Sequence, residues 1–385
     1  MTAPELAELV SGCHAFAWDL YQVLRSKEGN LLVSPLSISL ALAMVYAGAR
    51  GETRAQMAQA LHLTLGQDRL HPAFNLLDLQ LSGRGKGMGS SSKGFQLSIA
   101  NAIWSQEDTR FMDQFLDTLA ANYGAGMRLL DFAGTPERCR GIINAWASDH
   151  TGGRIRDLIP PGAIRRWTKL ILTNAVAFYA MWSTPFDAAR TVGGKFFLLN
   201  GSESRASMMR QTGSFAYAER KGVRAIELPY AGEELAMVIL LPPTGTFEAF
   251  EAGVQAEQVS AIVRDLTHQR VALTMPRFQF ASGFRLADVL ATMGMPAAFS
   301  EGADFSGMTG GRDLFLADVL HKAFVAVDEE GTEAAAATAA IMVPTLAPRQ
   351  PPIEFRIDRP FLFLIRDLET GAVLFVGRVM RPDTS

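Results

Sequence analysis

The sequence predicts an α+β fold with mainly antiparallel β-sheets, on three observations. Apolar residues at helical spacing crowd the N-terminal half, whereas alternating and hairpin-like runs fill the C-terminal half. No long polar linker or internal repeat divides the 385 residues, so a single domain over 1–385 is expected even though length alone would suggest two or three. Hydrophobic residues make up 48% of the chain, ample for a sizeable core.

The elements follow in order. Residues 4–26 set Leu6, Leu9, Val10, Cys13, Phe16, Ala17, Leu20, Val23 and Leu24 on one stripe, which predicts an amphipathic helix. Asn30 to Ala49 is uncharged and long enough to cross a bilayer. Ser34-Pro35, however, reads as a helix N-cap followed by proline at the first helical position, with Ser37 and Ser39 soon after. A strand end leading into a buried helix is therefore expected. Another helix runs from about Thr53 to Leu61. The Gly/Ser-rich segment Gly83 to Gly94 is a flexible surface loop; it contains no GxxxxGK[ST] or GxGxxG, and its three basic residues are read as solvated. Leu170 to Phe186, interrupted by Thr173, Asn174, Ser183 and Pro185, fits a buried strand. Ile226 to Leu241 reads as a hairpin turning at Ala231-Gly232-Glu233-Glu234, Val271 to Phe280 as one strand, and Phe361 to Val379 as a hairpin turning near Glu369-Thr370-Gly371.

A formal charge of −3 and a pI near 6.1 give no electrostatic footprint for nucleic acid, and no membrane span is expected. Cys13 and Cys139 cannot make a disulfide framework; two free buried thiols are favoured over a single bridge. The opening MTAPELAELVSG carries acids and no basic segment, so no signal peptide is read. A cytoplasmic location is favoured, with secretion after signal removal as the alternative. Asn200-Gly201-Ser202 is a glycosylation sequon of a kind that chance supplies in a chain this long. No GxSxG occurs and the six histidines lack paired metal spacing, which disfavours a hydrolase or metal enzyme. His14, His62, His71, His150 and His268 read as ordinary surface or core residues, and no cofactor is implied.

The run from Glu329 to Leu346, EEGTEAAAATAAIMVPTL, stands apart. It has too few large apolar groups to anchor a core. Its alanines would allow a helix, but Thr332, Thr338, Ile341, Val343 and Pro344 weaken that reading. Such a run suits a tight slot as an added strand. Here the chain resembles the reactive-loop hinge of the serpins, whose loop insertion is itself a standing example of strand addition. The resemblance covers nearly the whole chain. Its motifs are NLLVSPLSISLALAMVYAGARGET, INAWASDHTGGRIRDLI from Ile143, ELPYAGEELAMVILLP from Glu227, MPRF at Met275, ADFSGM from Ala303, HKAFVAVDEEGTEAAAAT from His321 and IDRPFLFLIRDLETGAVLFVGRV from Ile357, in the family's order. One departure is Phe178-Tyr179-Ala180-Met181-Trp182, where the family has Phe-Lys-Gly-x-Trp; Trp182 remains.

The resemblance implies the serpin fold, with three sheets, a helical N-terminal half and an exposed reactive-centre loop over about 329–352. It implies a protease inhibitor rather than an enzyme. A serine protease cleaves the loop as bait and is trapped at the acyl-enzyme stage when the loop inserts into the central sheet. The hinge would comprise Glu329, Glu330, Gly331, Thr332, Glu333, Ala334, Ala335, Ala336, Ala337 and Thr338. As a strand, Thr332, Ala334, Ala336, Thr338, Ala340 and Met342 share one face, mostly small, which fits packing beneath a sheet. Insertion adds about ten residues of central strand, on the order of 10 kcal/mol from backbone hydrogen bonds. Counting Glu329 as the first of seventeen residues sets the bait bond at Thr345-Leu346, with Met342-Val343 and Leu346-Ala347 as rivals. Val-Pro-Thr suits an elastase-like or subtilisin-like protease with a small apolar pocket. Ser34, Ser37, Asn174 and His321 fall where the family has its shutter, a buried polar cluster beneath the central strands, and Trp182 where it has its breach. The native state is expected to be a metastable monomer able to form loop–sheet polymers. The alternative is a non-inhibitory serpin acting as carrier, chaperone or storage protein.

Overall fold

The computed structural model describes residues 2–84, 95–124, 127–332 and 351–382. From the N-terminus, α1 (Ala3–Leu24) leads through β1 (Leu31–Val33) into α2 (Pro35–Tyr46), α3 (Gly51–Ala60) and α4 (Gln67–Gly83). Next come β2 (Phe95–Gln106), α5 (Asp113–Tyr123), β3 (Met127–Leu130), α6 (Pro136–His150) and β4 (Leu170–Met181). The second half continues with β5 (Val192–Phe197), β6 (Glu203–Arg220), β7 (Val223–Pro229), β8 (Leu235–Leu241), α7 (Phe247–Gly253) and α8 (Ala256–Arg264). It closes with β9 (Thr267–Pro276), β10 (Phe278–Arg285), α9 (Ala287–Thr292), α10 (Ser306–Thr309), β11 (Asp318–Val327), β12 (Gly331–Thr332), β13 (Ile353–Arg356), β14 (Phe361–Asp367) and β15 (Val373–Val379).

The α+β architecture expected from the sequence is present, with helices and, among the described residues, two hydrogen-bonded sheets. Nine strands form one sheet, ordered β1-β15-β14-β8-β7-β6-β9-β13, with β5 also pairing β6. Six form the other, ordered β10-β11-β4-β2-β3, with β12 against β4. β6 pairs with β5 and β9 along its first part and with β7 at its end, so it joins two of the three implied sheets into one ladder.

α1 buries Leu9, Val10, Cys13, Phe16, Ala17, Leu20 and Leu24, most of the stripe its spacing predicted. α2 is buried at every position and packs on β15 of one sheet and on β2 and β4 of the other. Its uncharged sequence therefore reflects a helix between two sheets, where each buried Leu or Ile contributes about 1.5–3 kcal/mol. No helix among the described residues is long and apolar enough to cross a membrane. A second apolar core lies where Cys139, Ile143 and Ala147 of α6 meet Trp104 of β2, Ile171 and Ala175 of β4, and Leu320 of β11. Both cysteines are free and buried.

Two local expectations change. Ser34 does precede α2, but its side chain caps nothing; the hydroxyl donates instead to the Leu374 carbonyl at 2.7 Å. The single strand expected over Val271–Phe280 is two strands in different sheets. Pro276 has no N–H with which to continue a ladder. Arg277 donates its amide to the Ser207 carbonyl at 2.8 Å, and the chain enters the second sheet at Phe278.

Candidate functional site

β4 and β11 run side by side and parallel from Asp318 opposite Ile171 to Phe324 opposite Ala177. Their other pairings among the described residues are antiparallel, β4 to β2 and β12 and β11 to β10. Above Ala177 the two strands separate, and β12 takes the place beside β4. Gly331 pairs with Met181 and Thr332 with Ala180, antiparallel. The mouth of the parallel seam thus already holds a two-residue antiparallel strand.

The turn from β11 into β12 is held at each residue. Asp328 accepts the amides of Glu330 (2.9 Å) and Gly331 (3.2 Å) on Oδ1, and its own amide donates to the Gly331 carbonyl at 2.8 Å. Burial pushes the Asp328 carboxyl above the usual range, partly offset by those two amides. Glu329 is buried and its carboxylate pairs with the Arg277 guanidinium and accepts from the Thr191 hydroxyl. Its carbonyl accepts from the Phe186 amide (2.7 Å), and that of Glu330 from the Trp182 amide (2.8 Å). Trp182 stacks on Tyr230, ring centroids 4.7 Å apart and planes 7° apart. Its indole N–H donates to the Asp328 carbonyl at 3.0 Å, while the Tyr230 hydroxyl bonds the Thr332 hydroxyl at 2.9 Å. Thr332 is completely buried. One aromatic pair therefore grips both ends of the turn.

Beneath the strands, Ser34, Ser37, Asn174 and His321 come together, all buried. His321, Asn174 and Asn101 lie in one row across β11, β4 and β2. The Ser34 amide donates to His321 Nε2 at 3.3 Å, so that nitrogen carries the lone pair and Nδ1–H donates to Asn174 Oδ1. The Asn174 amide in turn donates to Ser37 Oγ and Asn101 Oδ1, and the Asn101 amide to the Ser37 carbonyl at 3.4 Å. Complete burial pulls the His321 imidazole down to about 3, which keeps it neutral and keeps this donor order intact. The row is a directed chain of hydrogen bonds across the seam, anchored on α2.

Of the hinge residues named from the sequence, Glu329, Glu330, Gly331 and Thr332 stand at this mouth. Glu333, Ala334, Ala335, Ala336, Ala337 and Thr338, and the bait pair Thr345 and Leu346, lie outside the described residues. Sequence reasoning overlooked Asn101, Tyr230, Arg277 and Thr191. Asn101 did carry a signal: it is polar on the strand face that Ile99 and Ile103 make apolar. Tyr230 and Arg277 stand within the motifs ELPYAGEELAMVILLP and MPRF, which assign them no role, and Thr191 is recognisable only once distant segments meet.

A family model described as Serpin (serine protease inhibitor) matches residues 11–382. An uncharacterized serpin-like protein of Thermococcus kodakarensis is 39% identical over 376 residues, covering 97% of this chain and 86% of that protein. The human leukocyte elastase inhibitor is 36% identical over 390 residues, covering 98% and 100%. Among solved structures, human thyroxine-binding globulin in complex with thyroxine has a TM-score of 0.86 at 27% identity, covering 99% of this chain and 100% of that one.

Proposed function

The chain belongs to the serpin family, and from that premise we propose that it is an irreversible suicide-substrate inhibitor of serine proteases. The observation that carries this reading is β12, an antiparallel strand begun in the mouth of a parallel seam. Continued in the same register, the loop would set Thr338 opposite Asn174 and Met342 opposite Leu170, running the length of β4 between it and β11. Parallel neighbours can both pair with one antiparallel strand between them, so insertion would exchange a parallel contact for two antiparallel ones. The inward face would carry Thr332, Ala334, Ala336, Thr338, Ala340 and Met342, all but the last small or compact, which suits passage over α2.

The chemistry belongs to the protease. Its serine oxygen attacks the Thr345 carbonyl, the bond to Leu346 breaks, and the departing Leu346 amine takes up the proton that the serine gave to the protease base. An ester then joins the protease to Thr345. Loop insertion would carry that ester away before water attacks it. The row His321–Asn174–Asn101 would hold the seam shut until the loop displaces it, because its buried polar groups must remain paired. Val343-Pro344-Thr345 suits a small apolar pocket, elastase-like or subtilisin-like, and the likeness to leukocyte elastase inhibitors supports the first of these.

Mixing the protein with a pancreatic elastase and with a subtilisin tests the proposal. A band resistant to boiling in detergent and a released peptide beginning at Leu346 are expected. A non-inhibitory role is the second reading, favoured by the likeness to thyroxine-binding globulin. It predicts clean cleavage, no such band and no rise in the melting temperature of the cleaved product.

A further inference from the structure

β5 and β6 are joined by a tight hairpin. The Leu198 amide donates to the Ser202 carbonyl at 2.8 Å and the Gly201 amide to the Leu198 carbonyl at 3.0 Å, which leaves Leu199, Asn200 and Gly201 as the loop. Gly201 stands at φ +79°, the left-handed position that closes a three-residue loop of this kind. Asn200 and Gly201 are exposed, and a Cβ built on Gly201 would meet nothing within 4 Å. Of the chain's asparagines, Asn200 alone precedes a glycine.

The carboxamide of Asn200 is held by its oxygen. Oδ1 accepts from the Ser202 amide at 3.0 Å and from the Ser202 hydroxyl at 2.6 Å. A backbone N–H can only donate, so the atom it meets is the oxygen and not the nitrogen of the side chain. Nδ2 has no hydrogen bond among the described residues. Two donors on Oδ1 draw electron density from Cγ, and they would stabilise the negative charge that the oxygen gains when Cγ is attacked, as an oxyanion hole does. The attacking atom is one residue along. The Gly201 nitrogen closes a five-membered ring with Cγ, and glycine has no side chain to obstruct the closure. Attack from within the same chain gains several orders of magnitude over attack by a separate molecule.

We propose that Asn200, Gly201 and Ser202 form a self-modification site, at which the carboxamide of Asn200 becomes a carboxylate by way of a cyclic imide, with water as the only co-reactant. The Gly201 nitrogen gives its proton to solvent hydroxide as it bonds Cγ. The Cγ–Nδ2 bond then breaks, and Nδ2 leaves as ammonia with a proton taken from water. Water next opens the imide at either carbonyl. One opening gives aspartate at 200. The other gives isoaspartate, whose main chain runs through the side-chain carbon and lengthens the hairpin by one methylene. Either product sets a new negative charge three residues before Glu203, which already pairs with Lys195 at 2.9 Å. The attack requires the hydrogen bond from Gly201 to Leu198 to open, a local event at a loop tip that leaves the sheet folded.

Incubation of the intact protein at mildly alkaline pH tests this, followed by peptide mass mapping and by enzymatic carboxyl methylation to read isoaspartate. The expected result is progressive conversion at Asn200 to both aspartate and isoaspartate, while Asn30 stays intact. Asn30 is the internal control: its Oδ1 also accepts two amides, those of Met380 at 2.8 Å and Arg381 at 3.0 Å, but the residue after it is Leu31, paired in β1. An Asn200 that stays intact in the folded chain would overturn the site, and a synthetic peptide of residues 195–205 run alongside would show whether the turn itself protects the amide. Aspartate without isoaspartate would overturn the imide route in favour of direct hydrolysis. Ser202→Ala removes the hydroxyl donor and keeps the amide donor. Ser202 is exposed, so the variant should melt as the wild type does while converting several-fold more slowly. An unchanged rate would overturn the role given to the hydroxyl.

Discussion

Gly331 lies so close to β4 that a Cβ on it would stand 2.1 Å from the Ala180 carbonyl oxygen and 2.6 Å from the Met181 Cα. Both are backbone contacts that no rotamer change relieves. The relation also bears on the departure at Tyr179-Ala180: a methyl group at Ala180 is tolerated, because it is the Ala180 carbonyl that Gly331 meets.

Gly331→Ala should push β12 out of the mouth of the seam, at a cost of about 1–3 kcal/mol. With an elastase-like protease, the partition should move from covalent complex toward cleaved inhibitor, as measured by densitometry of denaturing gels. An unchanged partition would mean that β12 plays no part in starting insertion.

Thr332→Arg brings a charge to a completely buried site whose nearest polar partner is the Tyr230 hydroxyl. Cleavage of the loop should persist while the covalent band disappears. Thr332→Val is the milder probe. It keeps the shape but orphans the Tyr230 hydroxyl, which should lower stability by about 1–3 kcal/mol, read from the melting temperature. Full inhibition by the Arg variant would contradict insertion.

Neutral His321 makes the native state acid-sensitive in a defined window. Its folded value, about 3, lies below the unfolded value near 6.5. The unfolded chain therefore binds the extra proton first. Its contribution is complete above pH ~6.5 and declines by about 1.4 kcal/mol per pH unit as pH falls toward 3. His71, drawn down to about 4 by burial, acts with the same sign over a shorter range. Urea midpoints of wild type and His321→Asn between pH 5 and 6.5, above most carboxylate titration, should show a steeper slope for the wild type. Equal slopes would place the proton-linked stability elsewhere.

Glu329→Gln keeps an acceptor for Thr191 but removes the charge that Arg277 meets. Arg277 is partly exposed, so a loss on the order of 2 kcal/mol is expected rather than the full cost of orphaning a buried charge. Because the pair ties the β11–β12 turn to the lead-in of β10, its loss should loosen the top of the seam. Native gels after mild heating should show more high-mass species than wild type; an identical ladder would refute this.

Much of the architecture was legible because helix spacing and strand alternation are local. α1, α2 and the hairpin β14–β15 could be read from their own residues, and Trp182 and His321 from motif context. What escaped the sequence was pairing at a distance. Tyr230 and Thr332 are 102 positions apart, and nothing near either marks the other. Arg277 sits in a run whose alternation suggested one strand, so its role at a crossing between sheets was hidden. Asn101 was discoverable, since a polar residue on an apolar strand face must find partners when buried. The run after Thr332 was informative through what it lacks, large side chains, a property visible without any structure.

The parallel contact between β4 and β11 has a consequence for supply. If the loop inserts as proposed, the seam would have no place for a second strand, and a molecule so filled could not be reset by anything its own fold provides. Protection of that kind would be measured in copies present rather than in turnovers achieved. A cell or tissue relying on it would have to set its level by synthesis, ahead of the threat, much as a stock of fuses is matched to the surges a circuit will meet.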